Sequence, residues 1–170
     1  MEQQRVISFI VSNQPGVLCR ISGLISRRGF NIDSLTVGIT ADPALSRITI
    51  VMYADDAVIE QVIKQFDKLL DVKAIKEIPA DKGAMREVAL VKLHLNGERR
   101  EMMEDVAARG GVVLDIGDAT ATIQLTGTVS FIDASIETLR RYGIAELART
   151  GMVALERGDS VLLDGQLETL

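Results

Sequence analysis

Apolar positions in the first half of the chain switch between two spacings. Residues 5–11 (Arg-Val-Ile-Ser-Phe-Ile-Val) are apolar on both alternating faces except at Ser8, the pattern of a strand buried within a sheet. Beyond Ser12 and Asn13 the period lengthens, and Val17, Leu18, Ile21, Leu24 and Ile25 recur at helical spacing. Pro15 suits the first helical position, where its missing N–H costs nothing, so the spacing predicts a helix from about Pro15 to Arg28. Arg27 and Arg28 complement the negative end of its dipole, and Gly29 can take the left-handed conformation that ends it. Alternation returns over 31–39, with Leu35, Val37 and Ile39 on one face, and over 45–53, with Ile48, Ile50 and Met52 inward. Thr40-Ala41-Asp42-Pro43 between them is turn chemistry, which makes the pair a hairpin. A second helix over 55–70 is marked by Val58, Val62, Ile63, Phe66, Leu69 and Leu70, and a short strand follows over 72–78.

The order β-α-β-β-α-β is the split βαβ of the ferredoxin-like arrangement, with two helices on one face of an antiparallel sheet. Pro79-Ala80-Asp81-Lys82-Gly83-Ala84 then breaks the pattern, and the order runs again. Residues 88–95 read as a strand, 98–109 as a helix, and 112–116 with 121–125 as a hairpin. Phe131, Ile132, Ile136 and Leu139 mark a further helix, and 144–155 holds a closing strand. The expected fold class is therefore α+β, two ferredoxin-like βαββαβ modules: 1–78, a linker at 79–85, and 86–170. Little residue identity links the halves, so the repeat is architectural. The first module has more apolar strand positions than two helices can cover, which predicts pairing with another copy.

Composition narrows the function. The chain has 170 residues, 47% hydrophobic and 25% charged, which is a globular profile with no call for disorder. A net charge of -5 and an aromatic content of 4% offer neither a basic field nor stacking platforms for nucleic acid. No apolar stretch approaches the roughly 20 residues of a membrane span. Residues 1–5 lack the basic flank and apolar run of a signal peptide, and Cys19 is the only cysteine, so a cytoplasmic location is expected. One histidine, His94, and one cysteine cannot build a metal cluster, and no nucleophile sits in a recognisable elbow. Gly110-Gly111 and Gly127 lack the setting of dinucleotide or phosphate loops. No catalytic residue, metal site or cofactor is expected in this chain, and His94 and Cys19 read as surface and packing residues.

The turn Asn13-Gln14-Pro15-Gly16 differs because several properties useful to a ligand meet there. N–H groups at a helix start attract a carboxylate, Gly16 lacks the Cβ that would block close approach, and Asn13 can both donate and accept. The same residues read equally well as an ordinary helix start capped by Asn13, worth about 1 kcal/mol.

The ordered series Asn13-Gln14-Pro15-Gly16-Val17-Leu18, Arg27-Arg28-Gly29-Phe30-Asn31-Ile32-Asp33-Ser34-Leu35, Leu45-Ser46-Arg47-Ile48-Thr49-Ile50, Gln124-Leu125-Thr126-Gly127 and Ala148-Arg149-Thr150-Gly151-Met152-Val153-Ala154-Leu155-Glu156-Arg157-Gly158 resembles the small regulatory subunits of acetolactate (acetohydroxyacid) synthase over almost the full chain. Ile25, Phe30 and Cys19 depart from that family's pattern without touching its polar sensing residues. The resemblance implies that residues 1–78 form an ACT domain that senses an amino acid and dimerises. It implies valine or a related branched-chain amino acid at the interface of a homodimer or higher oligomer, with Asn13, Pro15, Gly16 and Val17 of one chain facing Asn31 and Ile32 of its mate. It implies a regulatory role in branched-chain amino acid (isoleucine and valine) biosynthesis, by activation and feedback inhibition of a separate catalytic subunit. That partner, not this chain, would carry thiamine diphosphate, Mg and FAD. The alternative is an ACT-type sensor serving another enzyme or a transcription regulator.

Overall fold

Valine, isoleucine and phenylalanine on both faces of the first strand require neighbours on either side. In the computed structural model, which describes residues 3–27 and 29–163, β1 (Gln3–Ser12) lies inside a sheet. Its partners are β3 (Leu45–Ala54) and β4 (Val72–Glu77), and β2 (Ser34–Ile39) completes the order β2-β3-β1-β4, antiparallel throughout. Ile7, Phe9 and Val11 share one face with Ile48, Ile50 and Met52. Over that face pack α1 (Val17–Arg27), through Val17, Ile21 and Ile25, and α2 (Asp56–Phe66), through Ile59, Val62 and Phe66. Phe9 and Phe66 meet edge to face at 5.1 Å. Each such side chain contributes about 1.5–3 kcal/mol by leaving water, so this face holds the unit together.

Local chemistry moves several predicted boundaries. α1 begins at Val17, not Pro15, because Gly16 takes φ +85° and turns the chain before the helix. Leu18 and Cys19 lie on the exposed side of α1, so Cys19 is a surface residue and not a packing one. β2 begins at Ser34, leaving Asn31–Asp33 outside the sheet. The Asp55 side chain caps α2 by accepting from Val58 N–H at 2.9 Å, and the helix ends at Phe66. Leu69 then turns toward the core, while Leu70 is 92% exposed.

The chain forms two compact units, Met1–Met85 with Met152–Leu170, and Arg86–Gly151. The predicted second module at 86–170 thus gives its last segment to the first unit. The closing strand expected over 144–155 is interrupted at Gly151 (φ +80°) into β8 (Ile144–Arg149) and β9 (Val153–Glu156). β5 (Gly83–His94) starts inside the expected linker and pairs with β9, and Arg157 N–H donates to Lys82 O at 2.8 Å. This returning segment meets the second face of the first sheet, where Met152 N–H donates to Ser34 Oγ at 3.1 Å and Glu156 pairs with Lys76. Val6, Ile10 and Val51 on that face are buried within the single chain. Val37 and Ile39 on edge strand β2 are among the apolar side chains of this sheet that stay open, with Tyr53 on β3.

The second unit repeats the topology as β6 (Val112–Ile116), β7 (Thr120–Gly127), β5 and β8, with α3 (Arg99–Ala108) and α4 (Val129–Leu139). Val91, Leu93, Ile123 and Leu125 pack beneath Met102, Val106, Ile132 and Leu139. Both units share one electrostatic device. Arg5 on β1 donates twice to Glu77 on β4, at 2.5 and 2.9 Å, and once to Asp56 on α2. Arg149 on β8 donates twice to Glu87 on β5, both at 2.7 Å, and once to Asp133 on α4. The carboxylates raise both guanidinium pKa values.

Candidate ligand-binding site at the first helix

Leaving β1, the chain is tied down before it reaches α1. Asn13 N–H donates to Ala44 O at 2.7 Å, and its side-chain Nδ2 donates to Pro43 O at 2.9 Å. Because α1 begins at Val17, Gly16 holds the cap position, and Asn13, tied by its Nδ2 to the β2–β3 connection, lies ahead of it, which removes the simple capping reading. Gln14 N–H returns to Ser12 O, and Val17 N–H reaches Gln14 O at 3.3 Å. Asn13, Gln14, Pro15 and Gly16 are exposed, whereas Val17 is buried and anchors the helix start in the core. The result is an open turn, tied to the β2–β3 connection, ahead of a helix whose first turn carries no acidic residue. Helix-start N–H groups point outward from such a turn, and their dipole favours an anion.

Arg20 belongs to this site and was not singled out from the sequence. A Cβ built on Gly16 would sit 3.5 Å from Arg20 Nη1, so the guanidinium overlooks the turn. Asp71 orients it, accepting from Nε at 2.9 Å and lying 2.6 Å from Nη2. The available signal was the spacing: a residue four beyond the turn glycine stands one helical turn above it.

At the far end of α1, Gly29 (φ +73°) donates to Ser26 O at 3.0 Å and Phe30 N–H reaches Ile25 O, the double bond that closes many helices. Asn31 is exposed beyond this cap, with Nδ2 3.4 Å from Asp33 Oδ1, and Ile32 packs against the core edge. Asn13, Pro15, Gly16 and Val17 thus lie together, as do Asn31 and Ile32. The two groups are not brought together within one chain: an 11-residue helix separates them by about 16 Å.

His94 is exposed at the end of β5. Among the described residues no group of three or more His, Cys, Asp or Glu is placed to hold a metal, and no helix is long and apolar enough to cross a membrane.

Two family models match in tandem: an acetohydroxyacid synthase small subunit-like ACT domain over residues 7–74, which contains all six candidate residues, and the small subunit of acetolactate synthase over 86–158. The acetolactate synthase isozyme 3 small subunit of Escherichia coli is 40% identical over 161 residues, covering 94% of this chain and 99% of that one. The chain belongs to the acetolactate synthase small-subunit family. The acetolactate synthase small subunit of Mycolicibacterium smegmatis is 41% identical, covering 89% of this chain and 90% of its own length. The crystal structure of the small subunit from Thermotoga maritima superposes with a TM-score of 0.88 at 36% identity, covering 93% of this chain and 99% of that chain. Membership in the small-subunit family and the α+β architecture of two βαββαβ-like modules, the first an ACT domain, therefore agree with the reading of the sequence.

Proposed function

We propose that this chain is a non-catalytic regulatory subunit that binds a separate acetolactate synthase catalytic subunit and adjusts its activity when valine or a related branched-chain amino acid binds. The observation that carries this reading is the construction of the two ends of α1. The start offers a helix N-terminus, Gly16 and Arg20 to a carboxylate, while the end offers the exposed amide Asn31. One ligand cannot span both within one chain, so the site forms where the α1 start of one copy faces Asn31 and Ile32 of another. The uncovered Val37 and Ile39 on edge strand β2 favour such pairing of ACT domains in a homodimer or higher oligomer. Thiamine diphosphate, Mg and FAD belong to the catalytic partner in this reading. Regulation requires that the amino acid bind one arrangement of the paired domains more tightly than another, a coupling of about 1–3 kcal/mol in typical cases.

Acetolactate formation by the purified catalytic subunit, measured with and without this chain while valine is titrated in, tests the proposal directly. Activation by the chain and its reversal by valine are expected; a catalytic rate indifferent to both would remove it. Asn13→Ala should weaken valine binding roughly ten- to a hundredfold, as loss of a hydrogen bond to a charged ligand group does. Calorimetry on the folded variant checks this, and unchanged affinity would remove Asn13 from the site.

A further inference from the structure

The second face of the first sheet holds a cavity that the amino-acid site does not use. It has a volume of about 240 Å³ and lies between β3, β4 and the segment that returns after Met152. Arg47 and Lys76 supply its cationic groups, and Ile78, Leu155, Val161 and Leu162 supply apolar walls. This falls below the roughly 300–1,000 Å³ of sites for drug-sized ligands and suits a smaller metabolite.

Arg47 is the decisive group. It stands on β3 opposite Ile10 of β1 and Gly38 of β2, and its Nε is buried with no hydrogen-bond partner among the described residues. Ser8 Oγ, on the same face of the sheet, is likewise a buried side-chain polar atom without one among the described residues. A guanidinium cannot shed its charge at any physiological pH, and half-burying one, as at Arg47, without an anion costs free energy. Burial also pushes Arg47 below its ordinary pKa, the direction expected of an uncompensated cation. The carboxylate lining the cavity, Glu156, is already committed: Lys76 pairs with it and Ser160 Oγ donates to it at 2.7 Å. Lys76 Nζ lies 3.1 Å from Ser160 Oγ, which closes that triad on itself. Its charges cancel, and among the described lining residues Arg47 remains as the positive charge beside the aliphatic wall.

We propose that this cavity binds a small aliphatic monocarboxylate, with Arg47 as its anion receptor. The lining fits the charge and size of a carboxylate bearing a short branched or straight chain, a class that includes 2-oxo acids. It disfavours an α-amino acid, because among the described residues no uncommitted carboxylate lines it to receive an ammonium group. The site is therefore distinct in ligand class and in position from the one at α1.

The test uses the full-length protein with 3-methylbutanoate as probe and 3-methylbutanamide as its neutral counterpart. In ¹⁵N-labelled protein the Arg47 Nε–Hε resonance, assigned by its loss in Arg47→Lys, should shift saturably with the carboxylate and stay in place with the amide. Arg47→Met should weaken 3-methylbutanoate binding about tenfold or more, as loss of a charged hydrogen-bond partner does, and Asn13→Ala should leave it unchanged. An Arg47 resonance unmoved at millimolar 3-methylbutanoate, an equal response to the amide, or undiminished binding by folded Arg47→Met would each overturn the proposal. If Arg47→Met does not fold, the wild-type titration decides alone. Valine binding is read separately in the same samples, so failure at one site leaves the other visible.

Discussion

α1 and α3 occupy the same place in the two units and are framed by the same devices. Each follows a glycine with positive φ, Gly16 at +85° and Gly97 at +89°. Each ends in the same double hydrogen bond. Gly29 N–H bonds to Ser26 O and Phe30 N–H to Ile25 O in one; Gly110 N–H bonds to Ala107 O and Gly111 N–H to Val106 O in the other. The polar groups hung on this frame differ. Four residues past the turn glycine stands Arg20 in the first unit and Glu101 in the second; two past the closing glycine stands Asn31 in the first and Val112 in the second. A similar backbone therefore carries a cation beside the turn in one unit and a carboxylate at the same offset in the other, where Arg99 and Arg100 precede it. Fold accounts for the helix, and a few side chains account for the site.

The largest expected effect comes from closing the turns. Gly16→Val and Gly97→Val each force a β-branched residue into the left-handed region, at a cost of about 1–3 kcal/mol, and denaturant unfolding should detect both. Only Gly16→Val places bulk where the ligand carboxylate would approach, so it alone should weaken valine binding by about a hundredfold or more, beyond the loss of one charged hydrogen bond. A folded Gly97→Val protein with an equal loss of affinity would mean that the two turns do not differ in the way argued above.

A smaller effect should follow from Arg20→Met. Arg20 and Asp71 form a largely exposed pair, with side chains 54% and 29% accessible, so the change in stability should stay within about 1 kcal/mol. The affinity for valine should fall about tenfold, the lower end of what a charge-assisted hydrogen bond contributes. Calorimetry and thermal unfolding on one preparation separate the two quantities.

These contrasts also mark what the sequence could tell. Elements whose periodicity is unmixed, such as β1, β3 and α4, stand where the spacing put them, because alternating burial and amphipathic helices leave direct traces. Asn13, Gly16 and Asn31 were legible as residues of unusual type at the ends of a helix. The physical pattern alone left Asn13 open between cap and receptor, and the start of α1 at Val17 was needed to move Asn13 off the cap position. Arg20 was hidden because an arginine on an exposed helix face has an ordinary explanation, and only the position of Gly16 gives it another. Arg47 was hidden too: the pattern of β3 says which face it shares, and nothing local says that residues 152–162 will come back across that face. Pairing distant in sequence is set by tertiary fit, which also explains why the expected boundary at residue 86 gave up the segment after Met152.

The smallest effect tests whether a cation alone separates the two helix starts. Glu101→Arg puts a guanidinium at the offset from Gly97 that Arg20 has from Gly16. It removes an acidic residue from the first turn of α3, worth about 0.3–1 kcal/mol, and an exposed pair with Arg141, which still has Asp105 at 2.7 Å. Made in an Asn13→Ala background, so that the native site is already weakened, Glu101→Arg should restore no valine binding by calorimetry. The helix start, which already carries Arg99 and Arg100, would then have a cation at this offset too, but the far end of α3 would still present Val112 where α1 presents Asn31, and a ligand with both a carboxylate and an ammonium needs partners for each. Recovery of valine affinity in that double variant would make charge at the helix start sufficient and remove Asn31 from the argument.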